Sequence, residues 1–178
     1  MTTTTRDLIL RKASRLFAER GYAGVSIRDV AAAAEVSPAL VMKHVGSKAA
    51  LFDAAATFEP LPPLGPVPDD ELGAFLVGDL VDRIRAGGSV PLLRGAVLVL
   101  PAPEPDQVRE RFHTVYADPL VERLGGGEQA RARADAALSA LLGLAVGARI
   151  LGLCGPGLVE RDDLVRVYGA AVQGLIAP

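Results

Sequence analysis

The 178-residue chain has few of the residues that build metal centres, redox sites and disulfides. It contains one cysteine, two histidines and no tryptophan. One cysteine excludes a disulfide within the chain and gives no indication of secretion. The histidines and the scattered carboxylates show no metal-ligand spacing of the HxxxH or CxxC kind. We therefore expect no metal, no cofactor, no catalytic residues and no enzymatic activity.

The chain also lacks a hydrophobic run long enough to cross a membrane. Its most apolar stretch, residues 136–153, is interrupted by Arg149 and holds 13 uncharged residues before that position. A membrane-spanning helix needs about 20. The N-terminus shows no basic segment followed by an apolar one, as a signal peptide would. These features indicate a cytoplasmic protein without a membrane partner, and contact with a membrane is the alternative.

Charge is unevenly distributed along the chain. Residues 1–57 contain eight Lys or Arg and five Asp or Glu, whereas the remaining residues contain eleven and sixteen. The net charge of −2 argues by itself against a nucleic-acid-binding protein. A mildly basic N-terminal part is nevertheless expected when one end of a protein contacts phosphate.

Prolines divide the chain into two parts. Five of them fall within residues 59–68, where they disfavour helix because proline lacks an amide donor. We therefore predict one domain over residues 1–58 and a second over 69–178, joined by a proline-rich connection. Apolar residues recur at helical spacing in both parts, which predicts an all-α fold. Helices of the second part are predicted at 69–86, 89–100, 105–124, 129–153 and 158–176.

Two short helices with a tight turn between them follow a first amphipathic helix. The first of the pair begins after Ser26, an N-cap with Asp29 three residues on. The second begins after Ser37, with Pro38 in its first position, and ends at Gly46. A helix-turn-helix of this kind places its second helix in the major groove of DNA.

The second helix of the pair has one face that is predicted to be free for a groove. Val41 and Val45 lie one turn apart and are expected to face the core. This leaves Pro38, Ala39, Leu40, Met42, Lys43 and His44 facing outward.

Basic side chains near two helix starts suggest phosphate contacts. Lys48 lies in the first turn of the next helix, where a cation opposes the helix dipole. Such a residue makes sense if a phosphate joins the free amides at that end. Arg28 lies beside Ser26 in the same way. The alternative is that these residues belong to the ordinary surface of a helical bundle.

The stretch RDLILRKASRLFAERGYAGVSIRDVAAAAEVSPALVMKHVGSKAALF resembles the N-terminal DNA-binding domain of the TetR family of bacterial transcriptional regulators. The resemblance covers roughly residues 6–55. It departs from the family pattern at four positions. The family usually has Gly where Glu35 stands, and often Thr at Leu40, Tyr at Met42 and Phe at Val45. The resemblance implies an all-helical homodimer with a DNA-binding head and a larger ligand-sensing body. It also implies DNA-facing roles for Ser26, Arg28, Pro38, Ala39, Met42, Lys43, His44 and Lys48.

The last two predicted helices suit the dimer interface that the resemblance implies. They are apolar around most of their circumference, so protein must surround them. Ala140, Gly143 and Gly147 form a line of small residues along which a second backbone can approach. A core within one chain is the alternative. The predicted dimer interface consists of Ala140, Gly143, Gly147, Val165, Tyr168 and Val172.

The helices before them are expected to enclose an effector. Apolar walls with a few polar groups that orient a ligand are typical of such a site. Candidate lining residues are Phe75, Leu93, Arg94, Val97, Phe112, His113 and Tyr116.

These observations predict a repressor that a small, mainly apolar effector releases from a palindromic operator in double-stranded DNA. The alternative is a helical protein–protein interaction module that has kept the head without specific DNA binding.

Overall fold

The computed structural model describes residues 4–55, 58–87, 90–99, 102–155 and 157–178, with the side chains of residues 18, 19, 97 and 98 left out. These residues form α-helices, one π-helical turn and connecting loops, and they contain no strand. The all-α prediction is confirmed. The helices are α1 Thr5–Arg20, α2 Ile27–Ala33, α3 Pro38–Val45, α4 Lys48–Ala55, α5 Leu72–Arg85, α6 Pro91–Val99, α7 Pro105–Phe112, α8 Asp118–Arg123, α9 Gly127–Arg149 and α10 Arg161–Ile176.

The chain forms two compact units. The first unit consists of Met1–Phe58 and Arg94–Arg111, and the second of Glu59–Leu93 and Phe112–Pro178. Residues 94–111 thus pack with the N-terminal helices, although they follow the proline-rich segment in the sequence. The division of function at residues 59–68 stays a prediction, because compact packing does not say what each part does.

The first unit has a core built from α1 to α4. The helical spacing of apolar residues in α1 predicts one buried side; Ile9, Ala13 and Phe17 are buried, and Leu16 is half-buried. They pack in one cluster with Val41 of α3 and Phe52 of α4. Burial of such side chains contributes roughly 1.5–3 kcal/mol each for the larger ones, so short helices that are marginal in isolation become stable here.

Helix α1 begins at a cap rather than at a frayed end. The threonine run at residues 2–5 suggests fraying, but Thr4 is the N-cap of α1. The Asp7 amide donates to Thr4 Oγ1 at 3.2 Å, and Thr4 in turn donates to the Asp7 carboxylate. This reciprocal pair satisfies amides that a helix end otherwise leaves without partners.

The second unit is organised around a close crossing of α5 and α10. A Cβ atom on Gly73 would lie 2.6 Å from the Gly169 carbonyl oxygen, so only glycine allows this approach. Gln173 ties the same region together. The Gly73 amide donates to Gln173 Oε1 at 2.8 Å, and Gln173 Nε2 donates to the Asp69 carbonyl at 2.8 Å.

A π-helical turn, His113–Ala117, separates α7 from α8. The predicted helix 105–124 is therefore helical but not regular. Pro119 explains why the regular α-helical pattern of hydrogen bonds is interrupted, because proline has no amide to donate to the carbonyl four residues earlier. The Asp118 amide bonds instead to the His113 carbonyl, five residues back, which is the π pattern.

The connection from α9 to α10 exposes large aliphatic side chains. Helix α9 ends at Arg149, earlier than the predicted 153, and α10 begins at Arg161. Ile150, Leu151 and Leu158 are each more than half exposed there. None of the helices in the described part of the chain has the length and apolar character that a bilayer crossing requires.

Candidate DNA-binding surface and ligand cavity

Helix α3 is fixed at both ends and along one side. The Leu40 amide donates to Ser37 Oγ at 3.2 Å, and the Gly46 amide donates to the Met42 carbonyl at 2.8 Å. Val41 is fully buried, and Val45 packs against the core as a half-buried side chain. The predicted caps and the inward orientation of both valines are confirmed.

The opposite face of α3 is open to solvent. Pro38, Ala39, Met42, Lys43 and His44 are all exposed, with Met42 at 41%. Leu40, which is also predicted to face outward, is half-buried. A rigid helix with one exposed face of mixed apolar and basic character has the shape that a DNA groove accepts.

The turn between α2 and α3 contains a residue in the left-handed region. Glu35 has φ +56°, a conformation that glycine adopts readily and other residues adopt at a cost of order 1–3 kcal/mol. The Glu35 amide donates to the Ala32 carbonyl at 3.2 Å, and the Val36 amide donates to the Ala31 carbonyl at 3.0 Å. These two bonds hold the turn despite the strain.

Lys48 lies over an aromatic ring at the start of α4. Its Nζ is 4.3 Å from the centroid of the Tyr22 ring, within the range of a cation–π interaction. The Tyr22 ring meets the Phe52 ring edge-on at 5.3 Å and is stacked near Phe17 at 6.1 Å. The Ala50 amide donates to Ser47 Oγ at 3.0 Å, so Ser47 caps the start of this helix.

Tyr22 is a contact of Lys48 that sequence reasoning missed. Its signal was its place directly after Gly21, the residue that ends α1. An aromatic residue at such a turn can pack on the adjoining helices, and here its ring lies against the Lys48 ammonium group.

Ser26 has its hydroxyl engaged in capping α2. The Asp29 amide donates to Ser26 Oγ at 3.1 Å, and Ser26 Oγ donates to the Asp29 carboxylate at 2.6 Å. These bonds from Ser26 lower the pKa of Asp29 below its ordinary value. Arg28, in the first turn of α2, is exposed. The predicted capping box is confirmed.

The second unit contains a small apolar cavity of about 30 Å³. Of the residues predicted to line an effector site, Tyr116 contributes to this cavity. The π-helical turn carries Tyr116, which is buried against the Phe112 ring with centroids 4.9 Å apart. The cavity is lined by Glu59, Pro60, Leu61, Pro62, Leu76, Asp79, Leu80, Arg83, Val90, Pro91, Leu92, Tyr116 and Leu141.

A basic side chain stands between two carboxylates at this cavity. Arg83 Nη1 lies 2.9 Å from Glu59 Oε1, and Arg83 Nε lies 2.9 Å from Asp79 Oδ2. The hydrogen bond to Glu59, and then that to Asp79, raise the pKa of Arg83 above its ordinary value. Sequence reasoning missed this group, since Glu59 belongs to the proline-rich connection and Arg83 to α5.

Among the described side chains, five other predicted pocket residues do not line this cavity: Phe75, Leu93, Arg94, Phe112 and His113. His113 is exposed, and its Nδ1 lies 2.8 Å from Arg131 Nη2. The side chain of Val97 lies outside the described residues. Phe75, Leu93, Arg94 and Phe112 are half-buried. In the described part of the chain, no three His, Cys, Asp or Glu side chains come together as metal ligands.

The six predicted interface residues on α9 and α10 have different surroundings. Gly143 is exposed and has open space where a Cβ would lie. Gly147 faces the chain's own Leu153, and Val172 is buried in the core of the second unit. Ala140, Val165 and Tyr168 are half-buried. Helical spacing alone could not separate the side chains that face this core from those that face outward.

Two family models match the chain. Residues 9–55 match the model described as bacterial regulatory proteins, tetR family. Residues 70–176 match the model of the tetracyclin repressor-like C-terminal domain. Together they leave out the first eight residues, the whole proline-rich connection and the last two residues.

Curated relatives match a short part of the chain. An HTH-type transcriptional repressor of Mycobacterium tuberculosis and an HTH-type transcriptional regulator of Mycobacterium bovis are each 52% identical to this chain over 46 residues. That stretch is 26% of this chain and 24% of each relative. The match thus spans about a quarter of the length of these relatives.

Solved structures share the fold over nearly the whole chain. AibR, crystallised with isovaleryl coenzyme A and operator DNA, has a TM-score of 0.65 at 18% identity, over 95% of this chain and 98% of that one. NalD of Pseudomonas aeruginosa, the secondary repressor of the MexAB-OprM multidrug efflux pump, has a TM-score of 0.61 at 22% identity, over 92% of this chain and 94% of that one.

Proposed function

This chain belongs to the tetR family of bacterial regulatory proteins, and we propose that it is a homodimeric repressor that a small ligand releases from a palindromic operator. Its helix-turn-helix makes it a DNA-binding transcriptional regulator. To that assignment we add three proposals: the protein represses transcription, it forms a homodimer, and an effector releases it from DNA.

The exposed face of α3 is the observation that carries the proposal. Two caps and the buried Val41 hold the helix, so binding does not have to order it. Met42 and Ala39 offer apolar contact to thymine methyl groups, and Lys43 and His44 offer donors to base edges or phosphates. In a dimer, two such helices would read half-sites about one helical turn of DNA apart.

Phosphate contacts are assigned to Lys48 and Arg28, which lie in the first turns of α4 and α2. A cation there is unfavourable toward the helix dipole unless an anion joins it. Tyr22 holds the Lys48 ammonium in one place, which lowers the entropy lost on binding.

Two proteins of the same fold support the proposal that this chain binds a small ligand and acts as a repressor. AibR was crystallised with an acyl coenzyme A and operator DNA, and NalD is named as a repressor. An effector of this chain can act only if it binds the DNA-competent and released states with different affinity.

The test is retardation of the DNA upstream of the protein's own coding sequence, compared with random DNA of equal length. We expect a preference for the upstream DNA that weakens steeply as salt rises. Replacing Lys48 or Lys43 by alanine should weaken binding roughly tenfold or more, given the strength of charged hydrogen bonds. Lys48→Ala should also reduce the salt slope by about 0.9 for each phosphate that the variant no longer neutralises.

Lys12→Ala is the matched control, because Lys12 is an exposed lysine of α1 outside the predicted DNA-facing residues. Tyr22→Phe should bind like the wild type, while Tyr22→Leu should share part of the Lys48→Ala defect. No salt-sensitive preference in the wild type would favour the protein–protein interaction module instead.

A further inference from the structure

We propose that Arg83 binds the carboxylate of a small apolar monocarboxylic acid, and that Glu59 occupies the place of that carboxylate until the acid arrives. The proposal rests on the proposed function, because it names the chemical class of the effector and the interaction that the effector replaces. It concerns the cavity of the second unit and the proline-rich segment beside it.

The cavity is apolar but too small for an effector in this state. Leucines from three helices line it, including Leu76, Leu92 and Leu141. A volume of about 30 Å³ has room for about one or two water molecules. A ligand the size of hexanoate therefore requires the wall to move. Glu59 to Pro62 form the longest part of the wall that is not helical, and Val90 is the other non-helical lining residue.

This proline-rich wall is held differently at its two ends. Its far end is anchored, because Arg123 donates to the Leu64 carbonyl at 3.3 Å and to the Val67 carbonyl at 2.7 Å. Leu64 itself is buried. The prolines between have no amide to donate. At the near end, the Glu59–Arg83 ion pair provides the polar contact with α5.

Glu59 is the more exposed of the two carboxylates that Arg83 contacts. Glu59 has 57% of its side chain exposed, whereas Asp79 has 31%. Water screens exposed ion pairs, so they contribute little to stability. Asp79 also lies one turn from Arg83 on the same helix, so its pair survives a movement of the proline-rich wall. Glu59 is thus the exchangeable partner.

A carboxylate is the ligand group that fits this exchange. It can replace Glu59 on a planar guanidinium with two parallel hydrogen bonds and leave the charge balance of the site unchanged. An amine would have to compete with Arg83 for both carboxylates, and an alcohol would leave Arg83 one anionic partner short. The apolar lining selects an acid with an aliphatic or aromatic body.

The exchange would also affect the DNA-binding part, because the proline-rich segment is covalently continuous with it. Glu59 directly follows Phe58, which packs against the core of the first unit. Releasing Glu59 frees the first of the three connections between the units from its ion pair with α5. The acid then favours the released state because only that state offers Arg83 to it.

Calorimetric titration of the purified full chain tests the ligand class. Butanoate, hexanoate, octanoate and benzoate are compared with hexylamine and hexan-1-ol. We expect at least one acid to bind and the amine and alcohol of equal length to bind tenfold more weakly or not at all. Binding of none of the acids, or equal binding of acid and alcohol, would overturn the proposal.

Variants test the two partners separately. Arg83→Gln should lose acid binding at least tenfold, and Arg83→Lys should retain part of it. Glu59→Gln should bind the acid several-fold more tightly, because the competing carboxylate is gone. Arg166→Gln and Glu71→Gln, at exposed positions outside the cavity, should leave binding unchanged. Unchanged acid affinity in both Glu59→Gln and folded Arg83→Gln, checked by thermal unfolding, would contradict the exchange.

Operator retardation separates this proposal from the proposed function. If the wild type binds its upstream DNA and the acid does not release it, the effector proposal fails and the repressor survives. If the wild type binds no DNA but binds the acid through Arg83, the repressor fails and the acid site stands.

Discussion

At the scale of single residues, Glu35 shows how the turn of the helix-turn-helix is made without glycine. Its φ of +56° is the conformation for which the family usually has Gly at this place. Its side chain is exposed, and its backbone is held by the Ala32 carbonyl. The turn therefore survives on its hydrogen bonds and on the packing of α2 and α3, in spite of local strain.

Replacing Glu35 by glycine should stabilise the protein. We expect the free energy of unfolding to rise by about 0.5–1 kcal/mol, because relief of the left-handed strain exceeds the extra entropy of glycine in the unfolded chain. Urea unfolding followed by circular dichroism measures it. Glu35→Ala is the control, since it removes the charge but keeps the Cβ. If alanine stabilises as much as glycine, charge and not backbone strain explains the effect.

At the scale of elements, the crossing of α5 and α10 depends on two glycines that face each other. A Cβ on Gly169 would lie 2.9 Å from Ala74 Cα, which real side chains do not tolerate. Gly174, one turn and a little further along the same helix, has nothing within 4 Å of its Cβ position. Within one helix, the crossing therefore requires glycine at position 169, whereas position 174 has room for a side chain.

Gly169→Ala should destabilise the second unit, and Gly174→Ala should not. We expect Gly169→Ala to lower the free energy of unfolding by about 1–3 kcal/mol, as overpacking does. Gly174→Ala should be neutral or raise it by up to about 1 kcal/mol, because alanine favours helix. Thermal unfolding of both variants, side by side, checks the pair. Equal changes in the free energy of unfolding would mean that helix propensity, and not close packing at the crossing, determines the effect of Gly169→Ala.

At the scale of the whole molecule, α9 and α10 leave an outward surface that one chain does not cover. Val167 and Leu175 are 54% and 39% exposed, and Gly143 has open space above its backbone. A twofold interface brings the same positions of two copies together. This surface, rather than the buried Val172, is where we place the dimer contact of the proposed repressor.

Gly143→Arg should therefore shift the protein toward the monomer. Two arginines would meet near the twofold axis, where like charges and bulk oppose close helix packing. Sedimentation equilibrium should show weaker self-association, and operator affinity should fall with it. Gly65→Arg, at an exposed position that also has open space, is the control. A wild-type association constant in Gly143→Arg would exclude Gly143 from the interface.

Local patterns in the sequence determined the helical segments before residue 58 and the place of the helix-turn-helix. The hydroxyls of Ser26, Ser37 and Ser47 each accept a hydrogen bond from an amide three residues further on, so the sequence alone carries that information. The apolar spacing of α1 likewise predicts one buried side made of Ile9, Ala13, Leu16 and Phe17, of which Leu16 is half-buried and the others are buried.

Only the tertiary structure decided which side chains meet across long stretches of sequence. Arg83 and Glu59 are 24 positions apart, and Tyr22 and Lys48 come from different helix boundaries. Val172 faces the chain's own core although its spacing also suits an interface. Helical periodicity specifies that a face is apolar, but the partner of that face depends on how all the helices pack together.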